Sequence, residues 1–210
     1  MAYSSFIDST YFVGEISIPN AANEVALTQA IGQYEKEILI ALLGYPLYKL
    51  LIADCTGEGG IPETQIYIDL VDGAEFTHEV NGEEITLKWE GLKNSALQSL
   101  IAYYVFYKYV KRDVTRLYGT GVSIASVKEG WERASPADKL CNAWESMRDL
   151  YGRIPVDYKR FFKYPIKGSN LPGVFNYDPS AYNFLFANKD DYPDWRFTSQ
   201  WVIPFWEERG

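Results

Sequence analysis

The sequence predicts a mainly α protein: a small helical domain around one long central helix, with an inserted β-hairpin and an extended aromatic C-terminal arm. Apolar residues recur at helical spacing in several long stretches. Asn81-Gly82 is the strongest two-residue signal for a hairpin turn. Residues 166–210 are rich in aromatic rings, yet prolines interrupt them and they show no sustained period. At 210 residues, 47% of them apolar, the chain can bury one core and carry extensions.

The first third of the chain predicts three helices after an irregular start. Residues 1–18 indicate an extended arm, or a short helix plus a strand. A first helix is expected from about Asn20, with an apolar stripe at helical spacing. The stripe consists of Leu27, Ile31, Tyr34, Ile38 and Leu42. Gly44 is expected to end this helix and Pro46 to open a second, while residues 62–71 predict a third short one.

A hairpin is predicted at about residues 74–89. With Asn81-Gly82 as the turn, Val80 pairs with Glu83, and the register follows from that pair. It places His78 opposite Ile85, Phe76 opposite Leu87, and Ala74 opposite Trp89. These residues share one face, so the hairpin is expected to pack on the helices or on a partner.

The central helix is predicted over residues 91–117. Its main stripe is Leu100, Tyr104, Tyr107, Val110, Val114 and Leu117, and the opposite face carries Ala102, Val105, Phe106 and Tyr109. A helix apolar on most sides is enclosed by other elements. A further helix is expected from Pro136, capped by Ser135 and closed by Gly152, and residues 156–164 suggest one more. The expected division is a helical domain over 1–165 and the arm over 166–210.

Composition and motifs argue against an enzyme. The only histidine, His78, falls on the apolar hairpin face, and no phosphate-loop, dinucleotide or metal-binding spacing is present. We expect no catalytic residue, no metal and no cofactor. Asp190, Asp191 and Asp194 favour turns over a calcium cluster. The net charge of −8 disfavours nucleic-acid binding as the main role.

Compartment signals are few. Cys55 and Cys141 are expected to be free thiols, although one disulfide stays open. The stretch 97–110 is too short to span a bilayer, and 1–11 lacks the features of a signal peptide. We therefore expect a soluble, intracellular protein.

The aromatic arm is the candidate binding element. A solvated tail is poor in aromatic residues, so this arm needs a surface, either on its own domain or on a neighbouring subunit. We predict nine partner-binding residues: Tyr182, Phe184, Phe186, Tyr192, Trp195, Phe197, Trp201, Phe205 and Trp206.

Short motifs in this order resemble a known family. They are LLGYPLY at Leu42–Tyr48, YGTGV at Tyr118–Val122, SPADKL at Ser135–Leu140, YNFLFAN at Tyr182–Asn188 and DYPDW at Asp191–Trp195. The pattern resembles the head–tail connector (adaptor) proteins of tailed phages, particularly those of phages and prophages of Bacteroides-type bacteria.

The resemblance implies a structural virion protein, assembled in the cytoplasm of the bacterial host. Copies would form a ring, of twelve in the family, that docks on the portal protein and offers a platform to tail or stopper proteins. DNA would pass through the ring without sequence-specific binding. The alternative is a carbohydrate- or small-molecule-binding protein that uses the aromatic rings of the C-terminal segment.

Overall fold

The computed structural model describes residues 5–18, 24–57, 60–80, 83–114, 117–118, 121–122, 136–152 and 179–196. The fold is mainly helical with a two-stranded hairpin, which confirms the predicted class. The elements are α1 Glu24–Asp54, α2 Gln65–Asp72, β1 Ala74–Val80, β2 Glu83–Trp89, α3 Leu100–Val114, β3 Leu117–Tyr118, β4 Gly121–Val122, α4 Pro136–Tyr151 and α5 Ala181–Ala187.

Helix α1 runs through both helices predicted on either side of Gly44. Gly44 breaks it into two halves, with φ 77° and ψ 154°. This left-handed φ is open to glycine and strained for other residues. The whole predicted stripe from Leu27 to Leu42 is buried. Gly44 therefore bends the helix where the sequence predicted that one helix would stop and the next begin.

The hairpin has the predicted register. Strands β1 and β2 are antiparallel, with Val80 opposite Glu83 and Ala74 opposite Trp89. On the inner face, Trp89 is 1% exposed and its indole Nε1 donates to the Leu70 carbonyl over 2.9 Å. The hairpin is thus fastened to the C-terminal end of α2.

Helix α3 is the enclosed centre of the fold, as predicted, but it is shorter. It begins at Leu100 because residues 91–99 form turns in which Asn94 and Leu97 have positive φ. Ser99 Oγ accepts from the Ile101 backbone N–H over 3.1 Å, which caps the helix start. Residues 100–107 are all buried, and α3 packs against α1 and α4.

The basic side chains at the end of α3 contact α1 and the aromatic rings of α3 itself. Lys108 pairs with Glu37 over 3.1 Å, and its Nζ lies 5.4 Å from the centre of the Tyr104 ring. Lys111 lies over Tyr107 at the same distance. These contacts hold both lysine side chains against the helix surface.

Helix α4 begins at the predicted Pro136 and ends before Gly152, whose φ is 119°. Trp144 packs on α3, with its ring centre 4.8 Å from that of Tyr107. The Tyr151 hydroxyl donates to the Ala41 carbonyl of α1 over 3.3 Å. Helices α1, α3 and α4 therefore share one hydrophobic core.

The N-terminal residues form two 3-10 turns, Ser9–Tyr11 and Gly14–Ile16, and no strand occurs within the described residues 5–18. Buried Glu35 of α1 holds this segment: its carboxylate accepts from the Phe6 backbone N–H over 3.1 Å and from Ser5 Oγ over 2.7 Å. The Tyr103 hydroxyl donates to Glu15 over 2.7 Å. Burial, then that hydrogen bond, raises the pKa of Tyr103 to about 12.

Some of the predictions concern residues that the structure does not describe. The helix predicted at 156–164 and the domain boundary at 165 lie outside them. Both cysteines are free thiols. None of the described helices is long and apolar enough to cross a membrane.

Replacing Gly44 should destabilise the protein. A Cβ there would lie 2.7 Å from the Arg196 carbonyl oxygen, and positive φ alone costs about 1–2 kcal/mol. We expect Gly44→Ala to lower the free energy of unfolding in urea by about 2 kcal/mol or more. The control is Gly32→Ala, where a Cβ would meet nothing within 4 Å. This substitution should raise the free energy of unfolding by about 0.5–1 kcal/mol. Equal effects of the two substitutions would contradict the bend at Gly44.

Asp54 joins the end of α1 to the start of α2. Its carboxylate accepts from the backbone N–H of Glu63 over 2.9 Å and of Thr64 over 2.8 Å, and from the Thr64 hydroxyl over 2.5 Å. Partial burial alone would raise the pKa of Asp54, but the hydrogen bonds from Thr64 and Glu63 outweigh it and lower the pKa below the ordinary 3.8.

Asp54 should therefore make stability depend on acid pH. The folded-state pKa lies below the unfolded-state pKa, so the contribution is complete above about pH 4 and is lost as pH falls through the folded-state value. We expect Asp54→Asn to be less stable than the unchanged protein at pH 6, and the gap in urea midpoint to narrow toward pH 2.5. A gap that stays constant across that range would contradict this role.

Candidate interaction surface

The C-terminal segment contains a short helix that the sequence reading missed. Ser180 caps α5: its Oγ accepts from the Asn183 backbone N–H over 3.4 Å. Ala181, Phe184 and Leu185 are buried at helical spacing. A helix of seven residues gives too short a period to recognise, although Ser180 was a visible start signal.

The Phe184 side chain of α5 is buried in the core. It packs against the hairpin on one side and against Tyr192, later in its own segment, on the other. Its ring centre lies 5.5 Å from Phe76 in an edge contact, 6.1 Å from Trp89 and 6.0 Å from Tyr192. It is 3% exposed. Burying a side chain of this size contributes about 1.5–3 kcal/mol. The part of the predicted arm that the structure describes is thus integral to the fold.

Tyr192 ties the segment to α2. Its hydroxyl donates to the Ile66 carbonyl over 2.5 Å, and the residue is 3% exposed. Burial, then the negative charges of Asp69 and Asp191, raises the pKa of Tyr192 well above its usual value of 10. The phenol therefore stays protonated, and remains a donor, at ordinary pH.

Trp195 and Arg196 tie the segment to the bend in α1. The Trp195 indole Nε1 donates to the Leu42 carbonyl over 2.9 Å, and the Arg196 backbone N–H donates to the Leu43 carbonyl over 3.2 Å. In a regular helix the Leu42 carbonyl would accept from residue 46, but Pro46 has no N–H. The segment supplies the missing donor.

A row of three aromatic rings lies on the outside of this docked segment. We call Phe186, Tyr182 and Trp195 the aromatic row. The Phe186 and Tyr182 ring centres are 5.9 Å apart and nearly parallel, and the Tyr182 and Trp195 centres are 5.6 Å apart. Phe186 is 47% exposed, and Lys189 Nζ lies 6.0 Å from its ring centre. Rings of this kind, placed on a fixed support, suit contact with another molecule.

The nine predicted partner-binding residues therefore have different positions. Phe184 and Tyr192 are each 3% exposed, and their rings pack within the chain's own core. Tyr182, Phe186 and Trp195 form the partly exposed aromatic row. The remaining four lie outside the described residues: Phe197, Trp201, Phe205 and Trp206.

The acidic residues of this segment lie in turns. Asp190 and Asp191 follow α5, and the Asp191 N–H donates to the Asn188 carbonyl over 3.0 Å. Asn188 Nδ2 in turn donates to the Phe184 carbonyl over 2.8 Å, so it caps the helix end. Among the residues that the structure describes, no group of three His, Cys, Asp or Glu could hold a metal ion.

A cavity of about 760 Å³ lies between the N-terminal segment and α1. Its lining includes Ser5 and Ile7 of the segment and Gly32, Glu35 and Tyr48 of the helix. Glu35 is 1% exposed, and it already accepts hydrogen bonds from Ser5 and Phe6. Its carboxylate therefore holds the N-terminal segment in place.

Comparison with known proteins identifies a family without assigning a function. A family of unknown function, DUF6712, matches residues 39–140 and 180–203. The chain belongs to this family. No curated protein and no solved structure matches it. The two matched blocks contain both sides of the docking contact: the first includes Gly44, and the second begins at Ser180, the cap of α5.

Removing the Tyr192 hydroxyl should test the docking. Tyr192→Phe leaves the part-buried Ile66 carbonyl without this donor and should cost about 1 kcal/mol of unfolding free energy. Tyr45→Phe is the control, because that residue is 58% exposed and its hydroxyl can bond to water. We expect no measurable change in urea unfolding for the control. Two variants of equal stability would show that the Tyr192 contact contributes nothing.

Proposed function

We propose that this protein is a head–tail connector, a structural virion protein of a tailed phage or prophage. Its copies form a ring that docks on the portal protein, extends the DNA channel and carries tail or stopper proteins. The single observation that supports an assembly role is the aromatic row, which is held outward on a segment fixed to the core at several points. The resemblance of the motifs to phage connectors supplies the kind of assembly.

The fastening of the row favours binding of a macromolecule. Side chains on a fixed support lose little conformational freedom on association, so more of the contact energy appears as affinity. Phe184 and Tyr192 anchor the segment inward while Phe186 points to solvent from the same short helix. A flexible segment would lose more conformational freedom on association, so less of the contact energy would appear as affinity.

The acidic character of the chain agrees with the role of a channel. A net charge of −8 opposes strong binding to DNA phosphates, so DNA could slide past the ring. The basic side chain of Lys108 is already paired with Glu37. Specific DNA binding is therefore not part of the proposal.

Assembly should depend on the aromatic row. We expect the full chain, alone at rising concentration, to form particles whose mass is a multiple of 24.0 kDa by light scattering. Mixed with the portal protein of the same phage genome, it should form particles heavier than the portal alone by such a multiple. A Tyr182→Ser, Phe186→Ser variant should remain at the mass of one chain under the same conditions, since it loses the exposed apolar contact.

The control for assembly is Val25→Ser. Val25 is 65% exposed on α1, so the substitution removes a similar apolar contact elsewhere and should leave assembly unchanged. A chain that stays monomeric at every concentration, with and without portal, would overturn the proposed function. Equal assembly by the row variant and the unchanged protein would overturn the role of the row.

A second candidate is a carbohydrate-binding protein. It is favoured by one observation: the Tyr182 and Phe186 rings are inclined by only 16° and could offer a flat stacking surface to a sugar. A titration with oligosaccharides distinguishes this candidate from the connector. Titration with oligosaccharides would change tryptophan fluorescence through Trp195 in the unchanged protein, and Phe186→Ser would abolish the change.

A further inference from the structure

We infer that α3 switches between two starts. One is the turn seen in the structure, after which the helix begins at Leu100 with Ser99 as its cap. The other is a longer helix that begins at Ala96 with Ser95 as its cap, and so has about one more helical turn. The inference concerns residues 94–99 of a single chain, so it is independent of the proposed ring.

Leu97 holds an unfavourable backbone conformation in the observed turn. Its φ is 60°, in the left-handed region, where a bulky side chain is uncommon. Asn94 also has a positive φ, 48°, but asparagine tolerates this region. The Leu97 N–H donates to the Asn94 carbonyl over 2.9 Å, which closes the turn. The turn therefore carries strain at Leu97, and a helical φ at this residue removes it.

The sequence of the turn contains a helix start signal that the structure does not use. Ser95-Ala96-Leu97-Gln98 has the pattern of a capping box, in which the serine caps the helix and the glutamine bonds back to the serine N–H. Leu97 also lies three and four residues before the buried Leu100 and Ile101. In a helix it extends the same apolar face. The local sequence therefore favours the longer helix.

Hydrogen bonds of two polar side chains hold the observed turn. Ser99 is 0% exposed, and its Oγ donates to the Leu92 carbonyl over 2.6 Å and accepts from the Ile101 N–H over 3.1 Å. Asn94 Oδ1 accepts from the Ala96 N–H over 2.9 Å. In the longer form the Ile101 N–H donates to the carbonyl four residues earlier, as in any α-helix. The turn's polar contacts are thus set against strain relief and a second cap, which keeps both forms accessible.

The chain can make this change without moving its neighbours. Leu92 and Lys93 are bonded to the end of α2, because their N–H groups donate to its carbonyls over 3.2 and 2.9 Å. Ser99 lies within hydrogen-bond distance of Leu92, and one more helical turn adds about 5.4 Å. The two steps of chain from Lys93 to the new cap span up to about 7 Å, so they reach it.

The switch changes the link between α2 and α3. Residues 94–99 separate Lys93 from the observed helix, whereas only residues 94 and 95 precede the longer one. A shorter link ties the end of α2, and the hairpin fastened to it, more closely to the central helix. Ser95, Ala96 and Gln98 are exposed, so a molecule that contacts the turn can favour one form over the other.

Chemical-exchange saturation transfer by NMR on the isolated full chain tests the switch. The measurement detects a minor form populated at about 1% or more and gives its carbon shifts. We expect the Cα nuclei of Ala96, Leu97 and Gln98 to show a minor form with helical shifts. Leu97→Gly should lower its population at least about fivefold, because glycine fits the positive φ and disfavours a helix.

Two serine substitutions should act in opposite directions. Ser99→Ala removes the cap of the observed turn and its bond to Leu92, and should raise the population of the minor form about fivefold. Ser95→Ala removes the cap of the longer form and should lower it by a similar factor. If the minor form is visible only in Ser99→Ala, the Ser95 substitution is made in that background. Gln33→Ala, at an exposed position of α1, is the control and should leave the population unchanged.

Each outcome decides the inference. A helical minor form that rises in Ser99→Ala and falls when Ser95 is replaced supports the switch. Absence of a minor form in both the unchanged protein and Ser99→Ala overturns it. A minor form with the shifts of an unfolded chain, or one that the Ser95 substitution leaves unchanged, also overturns it, because the turn then only frays.

Discussion

The bend in α1 at Gly44 and Pro46 is the constraint on which the C-terminal half of the fold depends. Pro46 cannot donate to the Leu42 carbonyl, and the left-handed Gly44 interrupts the helix beside it. An unpaired buried carbonyl is costly, at about 1–3 kcal/mol. Trp195 and Arg196 supply donors at this point. Only glycine leaves room for Arg196 there, so the bend and the docked segment require each other.

The rest of the structure positions that contact. Helix α3, enclosed between α1 and α4, fixes the direction of α1 through Tyr104, whose hydroxyl donates to Glu37 over 2.8 Å. Burial, then that hydrogen bond, raises the pKa of Tyr104 far above its usual value, which keeps the phenol a donor. The hairpin meets α5 through Phe76 and Phe184. The segment therefore rests on α1, α2 and the hairpin together, and its outer rings have a fixed support.

The sequence predicted the elements whose signal is local. The stripe of α1, the hairpin register and the enclosed face of α3 each follow from spacing within one element, and the structure confirms them. The start of α3 was placed too early, because turn residues such as Asn94 interrupt an otherwise apolar run. Helix α5 is too short to show a period. The partners of Tyr192 and Trp195 lie 126 and 153 residues away, and no local pattern encodes such contacts.

Membership in DUF6712 and the docked aromatic segment together focus the question of function on one face of the molecule. The account requires that residues 184–196 belong to the cooperative fold of the single chain. Native-state hydrogen exchange on the isolated monomer tests this most directly. We predict that the amides of Asn188, Trp195 and Arg196, which donate to backbone carbonyls, exchange far more slowly than in an unstructured peptide. Exchange of these amides at the rate of an unfolded chain, while α3 stays protected, would contradict the account.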